Sequence, residues 1–369
     1  MNILDMKDCA DNMQRLGRTF DGQCGEIFMN WTCSGLRFMF KGTNLIAELG
    51  AVFGEEIDIN PLDGTTTKRK TWPYVAVFLD DEQEPTRYFE VNKNLDKYLL
   101  FSSENPEEHM ITIRKMTENP KGKLCIRKLF MDGTIEKSEE HNNKLNIEFI
   151  GDSITCGFGN LSIERDRLFF SEDENGWLSH AAVAARKLDA DFSIISYSGI
   201  AITEGLGNVK WPAPSMADLY PYTDRLIEEK NGIEGSFKLW SFEQSRPDVI
   251  VLNLGTNDAT VIDMNGDIAN GIKQFEVEYY QFLKMLREKN GKKPWIICSL
   301  GSMDYFLFDN IKKIVEQFSD KNNDQRIICF KYGRMRFTDG YGACGHPNVM
   351  TQMRMGNEIA DYITELLHK

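Results

Sequence analysis

The stretch Ile147–Asn160, IEFIGDSITCGFGN, decides the fold of the second half of the chain. It opens with β-branched and aromatic side chains, which predict a buried β-strand, and three glycines follow this strand. Ser153 stands just past the predicted strand end, where a parallel α/β sheet presents its functional groups. A serine at such a turn directs its hydroxyl into a cleft and not into the core. Ser153 is therefore a candidate nucleophile.

Two other interpretations stay open on the residues of this stretch alone. A dinucleotide-binding loop needs G-x-G-x-x-G between a strand and a helix; Gly157 and Gly159 supply the first pair, but position 162 is a serine. The second interpretation is an ordinary turn, in which Asp152 and Ser153 cap backbone amides. Only residues elsewhere in the chain decide between the turn and a catalytic site.

Composition and charge limit the class of protein. A chain of 369 residues with 41% hydrophobic residues is typical of a folded soluble protein of about two domains. The formal net charge of -13 argues against nucleic acids and anionic membranes as partners, and it fits a neutral substrate such as a sugar or an ester. Residues 1–20 contain no apolar segment typical of a signal peptide, and no run is long enough to cross a membrane. We therefore expect a cytoplasmic protein; a homo-oligomer is compatible with the sequence.

The cysteine pattern predicts neither a metal site nor a disulfide framework. There is no C-x-x-C pair, so we expect no zinc site. Most of the thiols are expected to act as small buried apolar groups. The eight cysteines are Cys9, Cys24, Cys33, Cys125, Cys156, Cys298, Cys329 and Cys344.

Residues 1–140 are predicted to form an all-β domain. Apolar side chains alternate with polar ones in several runs, and Tyr74–Leu79 is apolar on both faces. Turns are expected at 41–44, 62–64 and 121–122, and the pattern indicates a β-sandwich. The polar run 136–144, which includes His141, is expected to be a linker.

From residue 145 to residue 369 the pattern changes to strands alternating with helices, which indicates a three-layer α/β/α domain with a mainly parallel sheet. Continuous apolar runs predict strands that are covered on both faces. The predicted strands span 147–150, 192–197, 249–254, 295–300 and 326–332. Helical periodicity is found at 176–188, where His180 is expected to be a packed or surface residue, and at 272–286, 311–318 and 350–367.

Four short blocks in the right order distinguish a catalytic site from an ordinary turn. Gly-Asp-Ser ends at Ser153, Ser198-Gly199 follows the second strand, Gly-Thr-Asn-Asp spans 255–258, and His346-Pro347 precedes the last helix. This arrangement resembles the SGNH, or GDSL, hydrolase superfamily. The resemblance implies that Ser153 is the nucleophile and His346 its base. It also implies an oxyanion hole formed by the Ser153 N–H, the Gly199 N–H and the Asn257 side-chain amide.

This chemistry suits the residue types. A serine needs a base, because its hydroxyl is a poor nucleophile on its own, and histidine titrates near neutral pH. The tetrahedral intermediate needs hydrogen-bond donors for its oxyanion. Taken singly, His346 could be a helix cap and Asn257 a turn residue.

The resemblance extends to the N-terminal half. The predicted β-sandwich, GDSITCGFG, the segment FFSEDENGW at 169–177, and NLGTND at 253–258 are similar to the second family of carbohydrate esterases. That family implies an N-terminal jelly roll followed by an SGNH domain, with removal of acetyl groups from plant polysaccharides, xylan among them, and no cofactor.

One departure leaves the partner of the histidine open. The superfamily usually has aspartate three positions before the histidine and an aromatic residue just before it, where this chain has Ala343 and Gly345. Asp339 is one candidate partner of His346, and a backbone carbonyl near residues 343–344 is the favoured one. Trp211 is a candidate sugar platform, although a tryptophan packed under its loop is at least as common.

The sequence thus predicts an acetyl esterase for acetylated xylan or xylo-oligosaccharides that works through an acetyl-enzyme. One alternative is another SGNH esterase with an aryl, lipid or thioester substrate. The other is an inert protein that binds glycan through its N-terminal domain.

Overall fold

The structure is a computed structural model that describes residues 2–59, 65–136, 144–203, 214–233, 235–243 and 245–368. The chain forms two compact units. The first comprises Met1–Asn143 and Leu168–Gly176, and the second comprises Lys144–Arg167 and Trp177–Lys369. The segment Leu168–Gly176, placed by the sequence in the second domain, thus groups with the first unit. The predicted turn at 62–64, most of the predicted linker and Trp211 lie outside the described residues.

The first unit is an antiparallel β-domain, as predicted. Its central strand order is β3-β4-β10-β5-β9-β7-β8, with β1 paired to β10, and β2, β6 and β11 paired to β5. The strands among the described residues are β1 (Asn2–Asp5), β2 (Gln14–Leu16), β3 (Phe20–Asp21), β4 (Ile27–Phe28), β5 (Gly35–Ile59), β6 (Thr66–Thr71), β7 (Tyr74–Leu79), β8 (Arg87–Glu90), β9 (Asp96–Lys115), β10 (Gly122–Met131) and β11 (Thr134–Glu136), and a short helix α1 spans Met6–Cys9.

The core of this unit follows the alternation of the long strands. Leu36, Phe38 and Phe40 of β5 are fully buried, because successive side chains of a strand point to opposite faces and these three share one face. Leu36 pairs with Ile113 of β9 and Phe38 with Ile111, both also fully buried. Apolar pairs across neighbouring strands therefore build the core.

The turn predicted at residues 41–44 is wrong. These residues lie inside β5, where the pairing with β9 shifts register between Gly42 and Asn44. A bulge leaves backbone N–H groups without their regular partners. The Asp132 carboxylate accepts hydrogen bonds from the backbone N–H groups of Thr43 and Asn44, both at 2.9 Å. Turn-forming residues here build a bulge, because an outside carboxylate replaces the missing strand partner.

The second unit is the predicted three-layer domain around a parallel five-stranded sheet of order β13-β12-β14-β15-β16. Its strands differ from the prediction by one residue at most at either end. They are β12 (Asn146–Gly151), β13 (Asp191–Ser196), β14 (Val249–Asn253), β15 (Trp295–Leu300) and β16 (Ile327–Lys331). Its helices are α2 (Ser153–Cys156), α3 (His180–Lys187), α4 (Met216–Leu219), α5 (Arg225–Lys230), α6 (Thr256–Asn265), α7 (Ile268–Asn290), α8 (Phe308–Asn322) and α9 (Val349–Leu367).

The strand order places a topological switch point at β12. The chain runs from this first strand to β13 on one side of it, and the next connection leads from β13 to β14 on its other side. Open α/β sheets bind ligands outside the carboxyl ends of the strands at such a point. The loops after β12, β13 and β14 are therefore where a functional site is expected. No described helix has the length and apolar character needed to cross a membrane.

Candidate active site

Three strand ends bring the predicted site residues together. Gly151, the last residue of β12, pairs with Ser196 of β13 and with Asn253 of β14. The chain beyond these three neighbours carries Ser153, Gly199 and Asn257, respectively. Register between parallel strands thus places residues that are far apart in sequence at one edge of the sheet.

Ser153 begins the four-residue helix α2 directly after the strand. The Asp152 carboxylate caps this helix, accepting a 3.0 Å hydrogen bond from the Ile154 N–H. The dinucleotide-loop alternative is not met, because Gly157 and Gly159 come after α2 and not between the strand and a helix. The turn is therefore a tight strand-to-helix connection that carries a serine at its apex.

His346 lies against Ser153 in the structure. Its Nε2 is 2.9 Å from the Ser153 Oγ, and its Nδ1 is 3.2 Å from the carbonyl oxygen of Ala343. A carbonyl oxygen only accepts, so Nδ1 carries the proton and Nε2 keeps the lone pair. The ring of Phe158 packs beside the imidazole, with ring centroids 4.5 Å apart. This tautomer is the one that can take a proton from the serine hydroxyl.

Main-chain carbonyls hold the loop that carries the histidine. The N–H of Ala343 donates to the Gly159 carbonyl at 3.0 Å. The N–H groups of Cys344 and Gly345 donate to the carbonyls of Arg167 and Arg165, at 3.1 and 2.9 Å. We call the segment 159–167 the clasp. It fixes the backbone around Ala343, and so the carbonyl that orients the imidazole.

Gly159 is required where the clasp meets this loop. It has φ 61°, and a Cβ built on it would lie 2.6 Å from the Ala343 Cβ. Both the left-handed backbone and the close approach favour glycine here. A larger residue would push the Ala343 backbone away.

The environment keeps His346 neutral. Removal from water lowers the pKa of His346 to about 4, and hydrogen bonding with the backbone at Ala343 and Cys344 only partly opposes this shift. A neighbouring carboxylate would raise the pKa of the ring, and no carboxylate of the described residues contributes to it. The imidazole is therefore uncharged at neutral pH, as a general base must be.

Asp339 is engaged elsewhere. Its carboxylate forms an ion pair with the Arg354 guanidinium at 3.2 Å, and its main-chain oxygen accepts a hydrogen bond from the Asn348 side-chain amide at 2.5 Å. Of the two predicted partners of His346 Nδ1, the Ala343 carbonyl is the one in contact with it. Asp339 bonds instead to residues near the start of α9.

The predicted oxyanion donors lie in the first turn of α6 and in the loop after β13. Gly199 has φ 83°, a conformation that favours glycine. The Asn257 amide donates to the Ile200 carbonyl at 2.8 Å. A primary amide has two N–H groups, so this contact leaves the second for another acceptor. The Asn257 side chain is therefore bonded to the residue that follows Gly199, while Ser153, the third predicted donor, lies at the start of α2.

The other histidine of interest is structural. His180 is fully buried, and its Nδ1 lies 3.1 Å from the Gln352 Oε1, while Gln352 also donates to the Ile154 carbonyl at 2.9 Å. Burial lowers the pKa of His180 to about 4. Cys156 is also buried, as predicted, with its Sγ 3.6 Å from the Ser198 Oγ.

Sequence reasoning quoted Asp258 within a motif but gave it no role, and it missed the clasp. Asp258 is fully buried and accepts hydrogen bonds from the loop after β13. The sequence feature that could have indicated a role for Asp258 was its position next to Asn257, shortly after a strand. The clasp acts through main-chain carbonyls, which every residue has, so no residue type could have revealed it.

Comparison with known proteins identifies families that match both halves of the chain. The model of the GDSL-like lipase/acylhydrolase family matches residues 149–366, and the carbohydrate esterase 2 N-terminal model matches residues 16–137. The chain is 29% identical over 288 residues to the cellulase/esterase CelE of Acetivibrio thermocellus, covering 77% of this chain and 33% of CelE. It is 27% identical over 269 residues to an acetylxylan esterase / glucomannan deacetylase of Cellvibrio japonicus, covering 70% of each. The chain thus spans about one third of the length of CelE.

Solved structures share the two-domain fold. A family two carbohydrate esterase from Clostridium thermocellum in complex with cellohexaose superposes with a TM-score of 0.80 at 24% identity, covering 96% of this chain and 99% of that one. An acetyl xylan esterase from the rumen bacterium Butyrivibrio proteoclasticus superposes with a TM-score of 0.81 at 20% identity, covering 100% and 98%. At these identities the likeness describes the fold.

Proposed function

Because the chain belongs to the GDSL-like lipase/acylhydrolase family, we propose that it is a serine esterase that removes O-acetyl groups from acetylated xylan or xylo-oligosaccharides. The observation that carries the proposal is the 2.9 Å contact between the Ser153 Oγ and the His346 Nε2, with Nδ1 held by a carbonyl. Family matches in both halves support a carbohydrate esterase.

The reaction proceeds in two halves. The Ser153 Oγ attacks the acetyl carbonyl carbon while His346 Nε2 takes the hydroxyl proton. The oxyanion of the tetrahedral intermediate is stabilised by the N–H groups of Ser153 and Gly199 and by the Asn257 amide. The intermediate collapses with loss of the sugar oxygen, which receives the proton from His346. His346 Nε2 then takes a proton from a water molecule, which attacks the acetyl-enzyme. As the bond between the acetyl carbon and the Ser153 Oγ breaks, the imidazolium returns the proton to Oγ and acetate is released.

The Ala343 carbonyl serves in place of a triad aspartate. It fixes the tautomer of His346, as a carboxylate would, but it carries no net charge. The imidazolium that forms during attack is therefore stabilised less. The proposed enzyme works as a Ser-His dyad.

A carbohydrate ester is favoured over other esters by two observations. The N-terminal half matches the carbohydrate esterase 2 N-terminal model, and relatives that match this chain are named acetylxylan esterase / glucomannan deacetylase. The net charge of -13 disfavours anionic lipid surfaces. An inert glycan-binding protein is disfavoured by the intact Ser153–His346 contact.

Acetate release decides among these functions. Wild-type protein and Ser153→Ala are incubated with acetylated xylan and with aryl esters of increasing acyl length. We expect acetate from xylan and fastest aryl-ester turnover with acetyl, both lost in the variant. Octanoyl esters hydrolysed faster than acetyl esters would contradict the carbohydrate-esterase function, and no hydrolysis at all would favour the inert glycan-binding protein.

A further inference from the structure

The carboxylate of Asp258 is buried and is directed at the loop after β13. It accepts hydrogen bonds from the N–H groups of Ile202 and Thr203, at 3.2 and 2.9 Å, and from the Thr203 hydroxyl at 2.8 Å. The residue has no exposed surface. Three donors from two consecutive residues thus converge on one side chain.

Asn257, the residue before Asp258, forms a second hydrogen bond to the same loop. The Asn257 amide donates to the Ile200 carbonyl at 2.8 Å, one residue past Gly199. The first turn of α6 therefore holds the segment 200–203 through two consecutive side chains. Gly199 directly precedes this attached segment.

Helix capping does not explain Asp258. A carboxylate in the first turn commonly accepts from the N–H groups of its own helix. The N-cap of α6 is Gly255, which provides no side-chain cap. Asp258 hydrogen-bonds to its own backbone N–H, but its other three hydrogen bonds go to the loop. Burying a carboxylate costs free energy unless its acceptors are filled. A buried carboxylate used to hold a loop indicates that the loop backbone must be placed accurately.

We propose that Asp258 is a positioning residue that sets the Gly199 N–H and the Asn257 amide at the separation an ester oxyanion requires. The role rests on the proposed esterase function. Asp258 does not touch the substrate; it acts by fixing backbone. The negative charge of the Asp258 carboxylate strengthens its three hydrogen bonds to the loop. The loop backbone can therefore move less. Donors placed in advance stabilise the oxyanion without reorganising during the reaction.

The surroundings of Asp258 make its charge hard to replace. Burial raises the pKa of Asp258, and its hydrogen bonds to Thr203 and Ile202 lower it again. Nearby Asp152 is also buried, which raises the pKa of Asp152 to about 7, and the charge of Asp258 adds to this shift. An amide in place of the Asp258 carboxylate would turn an N–H₂ group toward one of the donors.

The decisive variant is Asp258→Asn, assayed on an aryl acetate so that the identity of the sugar does not matter. We expect kcat to fall by about 10- to 100-fold while KM stays within about twofold, since misplaced oxyanion donors affect the transition state. Asp263→Asn, an exposed aspartate on the same helix, is the matched control and should keep wild-type kcat. The double variant Asp258→Asn with Asn257→Ala should lose less than the product of the single losses, because both act on one site.

If Asp258→Asn does not fold, Thr203 gives the same test. Thr203→Val removes one hydrogen bond to Asp258 and keeps the shape, whereas Thr203→Ser keeps the hydroxyl. We expect kcat to fall about threefold or more in the valine variant and to stay near wild type in the serine variant. Equal kcat in these two variants, or an unchanged kcat in folded Asp258→Asn, would overturn this role alone. Wild-type protein that hydrolyses no acetyl ester would overturn the proposed function and this role with it.

Discussion

The carbonyl oxygen of Ala343 lies 3.2 Å from Nδ1 of His346, three positions before the histidine. An aspartate side chain at that position would reach the same nitrogen with a charged group. Here the backbone does so with a neutral one, and the clasp 159–167 holds that backbone in place through three hydrogen bonds. Orientation of the base thus depends on loop geometry more than on any one side chain.

Ser153→Ala should abolish ester hydrolysis and leave the fold intact. The change removes only Oγ, so the melting temperature should stay near that of the wild type, while kcat for an acetyl ester falls by at least about 10⁴-fold. Turnover is measured by acetate release. Near wild-type turnover would exclude Ser153 as the nucleophile.

Asn257→Ala should lower kcat by about 10²- to 10³-fold, the usual effect of losing one oxyanion donor. KM should hardly change, because the oxyanion exists only in the transition state. Asn265→Ala, at the exposed end of the same helix, is the control and should behave as wild type. A change confined to KM would instead place Asn257 in substrate binding.

Asp339→Ala should cost less than about tenfold in kcat, whereas loss of a true triad aspartate costs nearer 10⁴. The carboxylate pairs with Arg354 and not with His346, so Arg354→Ala should have a similarly small effect. Both are compared with His346→Ala after their melting temperatures are checked. A collapse of Asp339→Ala to the level of His346→Ala would show that the aspartate completes a triad.

The pH profile of kcat/KM should reflect the low pKa of His346. The base is active when neutral, and its pKa of about 4 keeps it neutral well below pH 6. We expect kcat/KM to be level from about pH 8 down to about pH 5 and to fall on the acid side of that. A fall centred near the ordinary histidine value of about 6.5 would contradict the described environment.

His180 should contribute a loss of fold stability in mild acid. Its folded pKa of about 4 lies below its unfolded value, so between these two values the unfolded state binds a proton that the folded state does not. The free energy of unfolding should then fall with decreasing pH by up to about 1.4 kcal/mol per unit for this group. Urea melts at several pH values measure the slope. His346, with a pKa also near 4, adds a slope of the same sign, and buried Asp152, with a pKa of about 7, adds one of the opposite sign. The test is therefore the difference between the wild type and His180→Asn. The free energy of unfolding should fall more steeply with decreasing pH in the wild type, and equal slopes would exclude His180 as a cause.

Much of the second unit was predictable because its signals are local and repeated. Continuous apolar runs marked the five strands to within a residue. The three blocks after strands, with His346-Pro347 before the last helix, identified the family correctly. Helix α6 was missed, since its mixed side chains give little periodicity and it begins in a motif that resembles a turn. The bulge at Gly42–Asn44 was missed because the carboxylate that stabilises it, Asp132, is far away in sequence.

The partner of His346 shows a deeper limit. A sequence reveals which side chains exist, and it showed that Ala343 could not supply a carboxylate. Backbone carbonyls occur at every position, so only the folded path of the loop selects one. The same holds for the clasp, where the carbonyls of Gly159, Arg165 and Arg167 act independently of their side chains.

The segment Leu168–Gly176 has a consequence for how this protein can be divided. Although it follows the clasp in the chain, it groups with the first unit, where Phe169 and Glu174 are buried and the Gly176 N–H donates to the Met116 carbonyl at 2.8 Å. The chain therefore enters the second unit, returns and enters it again. A single junction between residues 143 and 144 would separate the first unit from a buried segment of its own. A chimaera that exchanges one whole unit between relatives therefore needs three junctions, with the other two on either side of 168–176.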